Sequence, residues 1–309
     1  MKKIIIDCDP GHDDALALIM AVASPKLELL AVTTSAGNQT PDKTLNNAMR
    51  MLTLLKENKI PVAGGNQKPL MQDLIIADNV HGETGLDGAV LPTPNFSPVN
   101  IPAVQLIAEK LDESSEPVIL VVTGPMTNIA LFLQIYPHLA TKIEKIVFMG
   151  GSSTTGNYTP SSEFNIAVDP ESAKIVINSG IPLVMAGLNL THQAQIYQEE
   201  IDNIRKIDNN VAQSVAQQLD FYGIYYGQDK WGFKGTPLHD PCTIAWLLHP
   251  EYFEGFDYHV DVEVSGELTR GETVVDLFDL LNLPKNVHVL TKIDRKKFID
   301  LLIKLIAKF

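Results

Sequence analysis

The sequence is poor in cysteine, poor in cations and free of long apolar runs. Its 309 residues include only two cysteines, Cys8 and Cys242, far apart and in no metal-like spacing. That excludes a disulfide framework and fits a reducing compartment, so a cytoplasmic location is expected. Lysine and arginine number 24 against 37 aspartates and glutamates, a formal net charge of −13. A surface of that sign repels polyanions, which makes nucleic acid polymers and anionic membranes poor partners. Small neutral ligands are not excluded. No apolar stretch approaches the ~20 residues needed to span a bilayer. Met1-Lys2-Lys3 leads straight into a short apolar strand without a small-residue cleavage site, so no signal peptide is expected. Repeats and low-complexity linkers are also missing.

What is present is an alternation of short apolar runs and helical periodicity. With 45 % hydrophobic residues the chain can bury a large core. The alternation predicts βα units and an α/β fold, with an open, mostly parallel sheet flanked by helices. Strands are expected at 3–6, 29–34, 118–122, 146–149 and 183–186. Helices are expected at 15–23, 43–57 and from 128 to 135, and one helical stretch from 198 to 226. Phe298, Leu301, Leu302 and Leu305 recur at i, i+3, i+4 and i+7, the pattern of an amphipathic C-terminal helix. Residues 64–98 are rich in glycine and proline and read as long loops or a small hairpin. Several strands end in polar or glycine-rich tips: Asp9 to Asp14, Gly37-Asn38, Thr123-Gly124 and Gly150-Gly151. Ligands of open α/β sheets bind outside the carboxyl ends of strands, so these tips converge on one candidate site.

The strongest local signal is Asp7-Cys8-Asp9-Pro10-Gly11-His12-Asp13-Asp14, four carboxylates in eight residues between a strand and a helix. Two carboxylates ~4 Å apart repel by roughly 4 kcal/mol at an effective dielectric of ~20. The cluster needs a cation, a shared proton or hydrogen-bond donors, and no lysine or arginine lies nearby in sequence. Hard oxygen ligands suit calcium or magnesium rather than zinc. A structural reading competes for single residues: Asp13 or Asp14 as a helix cap or first-turn acid, Asp7 as a turn acceptor. It does not account for all four.

The segment from Asp7 to Ala15 resembles the N-terminal aspartate motif of the inosine-uridine nucleoside hydrolase family. Further matches follow in order: Gly37-Asn38-Gln39-Thr40, His81-Gly82-Glu83-Thr84-Gly85, Thr123-Gly124-Pro125-Met126-Thr127-Asn128, Met149-Gly150-Gly151, Glu163-Phe164-Asn165 and His239-Asp240-Pro241-Cys242. The ordered combination spans nearly the whole chain, read as one nucleoside hydrolase domain over 1–309. The resemblance implies hydrolysis of the N-glycosidic bond of a ribonucleoside. It implies Ca2+ held by Asp9, Asp14, Asp240 and the Thr123 carbonyl, with Asp9 also the general base on a metal-bound water. Asp13 and Asn38 would bind ribose hydroxyls, and Asn157, Glu163 and Asn165 the 5′- and 3′-hydroxyl side. His239 would be the general acid toward the leaving base, its ordinary pKa of ~6.5 suiting that task. His81 would lie near the base. Among Tyr222, Tyr225, Tyr226 and Trp231, Tyr225 is the one expected to stack on it. A homodimer or homotetramer is implied as well.

The chemistry of the residues agrees with this reaction type. Glycosidic cleavage passes through an oxocarbenium-like state, which carboxylates stabilise. One departure is Asn189, where the family commonly has aspartate. His12 receives no role. Two alternatives compete. One is a haloacid-dehalogenase-type magnesium phosphohydrolase with Asp7 as nucleophile and Asp9 as acid/base, although Pro10-Gly11-His12 lacks the hydroxyl residue that type needs. The other is a non-catalytic nucleoside- or ribose-binding protein.

Overall fold

In the computed structural model all 309 residues are described. The chain begins with β1 (Lys2–Cys8), α1 (His12–Ala23), β2 (Leu27–Thr34), α2 (Pro41–Leu54) and β3 (Val62–Gly64). A single helical turn, α3 (Asp78–His81), interrupts the long loop that follows. Then come α4 (Ala103–Glu113), β4 (Val118–Val122), α5 (Thr127–Ile135), β5 (Ile143–Met149), α6 (Phe164–Val168), α7 (Pro170–Ile177) and β6 (Leu183–Ala186). The next stretch holds α8 (Leu188–Thr191), β7 (Gln195–Ile196), α9 (Gln198–Arg205), α10 (Asn210–Tyr226), β8 (Thr236–Pro237) and α11 (Pro241–Leu248). The chain closes with β9 (Phe253–Tyr258), β10 (Val260–Val262), β11 (Thr273–Val275), β12 (Val287–Ile293) and α12 (Arg295–Ile306).

The main sheet has eight strands in the order β3-β2-β1-β4-β5-β6-β12-β9. All neighbours are parallel except the edge pair β12–β9. Central strands such as Val-Ile-Leu-Val-Val in β4 are buried along their length, as a parallel sheet covered on both faces requires. Ile4 and Ile6 of β1 join the core under α1, α2, α10, α11 and α12, while Ile5 points into the core under α4, α5 and α7. The strand order reverses between β1 and β4, the point where doubly wound sheets open a crevice at their carboxyl ends. Asp9 to Asp14 leave β1 there, and Thr123 leaves β4. No helix is long and apolar enough to cross a membrane.

Three expectations need adjustment. Residues 198–226 form two helices, not one, because the Asn209 side chain accepts from the Ala212 amide at 2.7 Å and starts a new helix. Residues 64–98 contain no hairpin, only loops and α3. And α1 begins at His12 rather than Ala15, so Asp13 and Asp14 lie in its first turn. That helix is buried nearly all round against α11 and α12, which hides its polar start from an amphipathic reading.

Candidate active site

A cavity of about 350 Å³ opens at the carboxyl end of the sheet, within the range of small-molecule sites. Asp13, Asn38, His81 and Thr123 line it together with Asn157, Glu163, Asn165, Tyr225, His239 and Asp240. The sequence thus names residues that the fold gathers from positions 13 to 240. Asp9 and Asp14 are fully buried and do not line the cavity.

The carboxylates of Asp13, Asp14 and Asp240 come together closely enough to share an ion, each offering an oxygen within 4.8 Å of the others. Asp9 stands outside that tight group. Asp14 is the most heavily held. Its Oδ1 accepts from the Thr123 hydroxyl at 2.7 Å and the Asp9 amide at 3.3 Å. Its Oδ2 accepts from Asn38 Nδ2 at 2.9 Å and the Gly11 amide at 3.0 Å. The Gly11 bond caps α1, so the capping role considered for Asp14 coexists with its place in the cluster. Asp9 Oδ2 accepts from the Asn38 amide at 2.7 Å, while Asp9 Oδ1 is buried with no partner. Gly124 passes so close that a Cβ there would sit 2.6 Å from that free oxygen.

Burial raises the pKa of all four groups, with Asp13 pushed up to about 7 and Asp9 and Asp240 raised further. For Asp9, Asp13 and Asp240 the neighbouring carboxylates add to the rise, while hydrogen bonds moderate it at Asp14, and no lysine or arginine is among the main influences on any of the four. Four buried carboxyls without a cation, one carrying an orphaned oxygen, fit a divalent metal with oxygen ligands. The Thr123 carbonyl accepts from Asn165 Nδ2 at 2.7 Å and keeps a second lone pair.

The asparagines and Glu163 that line the cavity are fixed by their own bonds, which decides what each can offer a ligand. Asn165 spends Nδ2 on the carbonyls of Thr123 and Met149 and presents Oδ1. Asn157 spends Oδ1 on the Phe164 amide and presents Nδ2. Asn38 spends Nδ2 on Asp14 and presents Oδ1. Glu163 caps α6, accepting from the Asn165 and Ile166 amides and from Gly151. Burial still pushes its carboxyl up to about 7.

At the other end of the cavity the walls are aromatic. His239 Nδ1 lies 2.8 Å from the Thr191 hydroxyl, and Nε2 lies 2.8 Å from the Tyr226 hydroxyl. Burial lowers the His239 pKa to about 3, so the ordinary value assumed from sequence does not hold. Tyr222, Tyr226 and Trp231 line the cavity beside Tyr225. Tyr226 contacts His239 and Tyr225 does not, a distinction the run of aromatics could not make. Thr191 carried no sequence signal at all.

Asp7 faces away from the cavity. It accepts from the Thr33 hydroxyl at 2.5 Å and from Asn128 at 2.9 Å, and burial raises it to about 6. Asn189 also lies outside the cavity. Its Oδ1 accepts from the Ser153 amide and its Nδ2 donates to the Leu290 carbonyl at 2.9 Å. A carboxylate cannot make the second bond, which gives asparagine a reason to stand there.

The profile of the family described as "Inosine-uridine preferring nucleoside hydrolase" matches residues 4–300. This chain belongs to that family. A pyrimidine-specific ribonucleoside hydrolase RihA from Shewanella sp. (strain MR-4) is 60% identical over 308 residues, 100% of this chain and 97% of that protein. The enzyme of the same name from Enterobacter sp. (strain 638) is 59% identical over 306 residues, 99% of this chain and 98% of its own length. Among solved structures, a purine-preferring ribonucleoside hydrolase from Gardnerella vaginalis superposes with a TM-score of 0.93 at 30% identity, covering 99% of this chain and 98% of its own. The chain is a ribonucleoside hydrolase, an N-glycosidase that releases base and ribose. The phosphohydrolase and binding-protein alternatives have no support. Asp7, the nucleophile the first would need, is locked inside the sheet.

The raised carboxyls set the pH dependence of the metal-free protein above about pH 6.5, the ordinary pKa of histidine. Asp7 at about 6, with Asp13 and Glu163 at about 7, bind protons more tightly folded than unfolded. Their contribution to stability is full below about pH 4 and is lost as pH rises through 6 to 7. Below about pH 6.5 the buried histidines, lowered to about 3 or 4, act in the opposite sense, so chelator-treated protein should melt at a lower temperature at pH 8 than at pH 6.5, a range in which the carboxyls act alone. An excess of a divalent cation should raise the melting temperature most at pH 8, where it meets ionised carboxylates. A melting temperature that climbs from pH 6.5 to 8 in the metal-free protein would contradict this account.

Proposed function

We propose that the chain is a calcium-dependent nucleoside hydrolase with a preference for pyrimidine ribonucleosides. One observation carries the metal reading: four buried carboxylates, uncompensated by any cation of the chain, gather at one end of a cavity that two of them, Asp13 and Asp240, line beside polar groups that suit a ribose. Asp9, Asp14, Asp240 and the Thr123 carbonyl would hold the ion, and the closeness of Asp13 to Asp14 and Asp240 supports a position for it beside that ion. A bound Ca2+ would make a water more acidic and grip the 2′,3′-diol of the sugar.

Asp9 is the general base in this reading. Its Oδ1 has no donor within the protein and is the acceptor that a water proton needs. Asp13 and Asn38 Oδ1 would accept from ribose hydroxyls, Asn165 Oδ1 and the spare lone pair of Glu163 would accept from the far side of the sugar, and Asn157 Nδ2 would donate. These contacts hold C1′ where water attacks it directly, with inversion. The surrounding carboxylates stabilise the positive charge that develops on the sugar.

His239 and Tyr226 serve the leaving base. When Thr191 donates to Nδ1, Nε2–H donates to the Tyr226 oxygen, and the tyrosine proton is free to face the cavity. The imidazole, neutral at working pH, then acts through a phenol rather than as an imidazolium acid. Tyr225, half-buried in the wall, would stack on the base. The pyrimidine preference rests on the relatives about 60% identical, which bear that specificity in their names. Cytoplasmic salvage of base and ribose fits the family and the two free, buried cysteines. Assembly into a dimer or tetramer fits the loop after β11, where Phe278 and Leu280 are each 81% exposed beside Leu277 and Leu281.

Three measurements test these assignments. Initial rates on uridine, cytidine, inosine, adenosine and guanosine should rank both pyrimidines above every purine. An inosine rate above uridine would reverse the specificity. Asp9→Asn should lower kcat by about 10²–10⁴-fold while the protein still binds ribose, whereas near-wild-type turnover removes Asp9 as the base. Tyr226→Phe should lower kcat on uridine by about 10²-fold or more but leave a riboside with an acidic phenol leaving group nearly unaffected. Equal losses on both substrates would mean that Tyr226 shapes the site without assisting departure.

A further inference from the structure

His12 is the first residue of α1, and its ring is buried in a stack with His81, Phe221 and Tyr222, each centroid 5.3 Å away. Three contacts around it fix where its protons lie. Nε2 is 2.9 Å from the carbonyl oxygen of Asp87. A carbonyl only accepts, so Nε2 carries the hydrogen. The ring is 1% exposed, packed among three aromatic rings with no carboxylate side chain hydrogen-bonded to it, an environment that keeps an imidazole neutral, so Nδ1 carries a lone pair. That Nδ1 is 3.1 Å from Nδ1 of His81. Two lone pairs do not face each other at that distance, so His81 Nδ1 carries a hydrogen. His81 is also kept neutral by burial, which leaves its Nε2 without one.

A single contact favours the opposite arrangement. The backbone N–H of His12 points at His81 Nδ1 from 3.3 Å and would prefer a lone pair there. Satisfying it while keeping the bond between the rings would place a hydrogen on His12 Nδ1. His12 Nε2 would then set its lone pair against the Asp87 oxygen at 2.9 Å. The two shorter contacts prevail over the longer one, and the amide left over is one of the first-turn donors that every helix leaves unpaired. The arrangement is built in on both sides. The Asp87 carboxylate accepts from the amides of Glu83 and Thr84 and folds the loop around itself. At Gly11 a Cβ would lie 2.6 Å from His81 Nδ1, so only glycine lets the ring press on the start of the helix.

We propose that His12 is a positioning residue that fixes His81 in the Nδ1–H tautomer, so that His81 meets the base with a hydrogen-bond acceptor at Nε2. The ring lines the cavity, and Nε2 has no hydrogen-bond partner within the protein. An acceptor at that place selects a base edge that carries an N–H: the ring N–H of a uracil or the amino group of a cytosine. It also removes His81 as the resting donor to the leaving base, leaving that task to Tyr226. The inference rests on the nucleoside hydrolase reading for its substrate. Its test does not, because a tautomer can be read without turnover.

Long-range 1H–15N correlation spectra of the Ca2+-loaded protein, labelled in its histidine rings, report the tautomer directly. The His81 signals, identified by their loss in His81→Asn, should show a protonated Nδ1 and an unprotonated Nε2. In His12→Phe, which keeps the ring stack but removes both nitrogens, His81 should move to the Nε2–H form, and KM for uridine should rise about 10-fold with kcat changed less. His12→Asn puts an acceptor oxygen near the place of Nδ1 and should keep both the wild-type tautomer and a KM within about twofold. A protonated Nε2 on His81 in the wild-type spectrum overturns the proposal, whether or not the His12→Phe protein folds. An unchanged tautomer in folded His12→Phe overturns it equally.

Discussion

The site is organised by repulsion. Four carboxyl groups, Asp9, Asp13, Asp14 and Asp240, are packed out of water with no cationic side chain among them. The fold tolerates this partly through backbone dipoles. Asp13 and Asp14 occupy the first turn of α1, and Asp240 stands at the start of α11, so two helix N-termini point their positive ends at the cluster. The donors on Asp14 add a second measure of relief. Neither supplies a full positive charge. The remainder is met by protons in the metal-free protein and, in our reading, by a divalent ion in the working one. Affinity for the ion and instability without it are then two expressions of the same arrangement.

The topology explains why distant residues share this spot. The break in strand order between β1 and β4 opens the crevice, and the packing of α11 on α1 carries Asp240 to it across more than two hundred residues of chain. Each sugar-facing amide spends one of its groups on the scaffold and keeps the other for the cavity. Asn38, Asn157 and Asn165 are therefore fixed in orientation before any ligand arrives, which lowers the entropic cost of binding.

Much of this was legible in the sequence because it is local. The Asp9 to Asp14 segment, the glycine-rich strand ends and the buried runs of β1 and β4 are short patterns with direct physical meaning. The parts that escaped depend on contacts made at long range. Thr191 meets His239 across a separation of 48 positions, and nothing around it marks it out. Tyr226 and Tyr225 are adjacent in sequence, and only the phase of α10 decides which one reaches the histidine. His12 sat inside the most conspicuous motif and still carried no signal, since its partners are the Asp87 carbonyl and a ring 69 residues away. The break between α9 and α10 rests on one capping bond from Asn209, too small a feature to override a long helical pattern.

The histidines follow a common rule. His12, His81, His192 and His239 all have their pKa lowered by burial, so the base end of the cavity carries imidazoles without charge. An imidazolium beside Asp13 or Asp240 would neutralise the carboxylates and weaken the case for a metal ion. It would also stand near the sugar as positive charge develops there, raising the barrier instead of lowering it. In our reading, keeping these rings neutral divides the cavity into an anionic end for the sugar and an aromatic end for the base, where the Lys230 ammonium lies over the Tyr225 and Trp231 rings. Proton delivery to the base then comes, in the same reading, from a neutral acid, the Tyr226 phenol, which turns anionic as it gives and whose phenolate accepts the hydrogen bond from His239 Nε2–H. The division follows from burial alone, and it assigns the carboxylates and the histidines to opposite halves of one reaction.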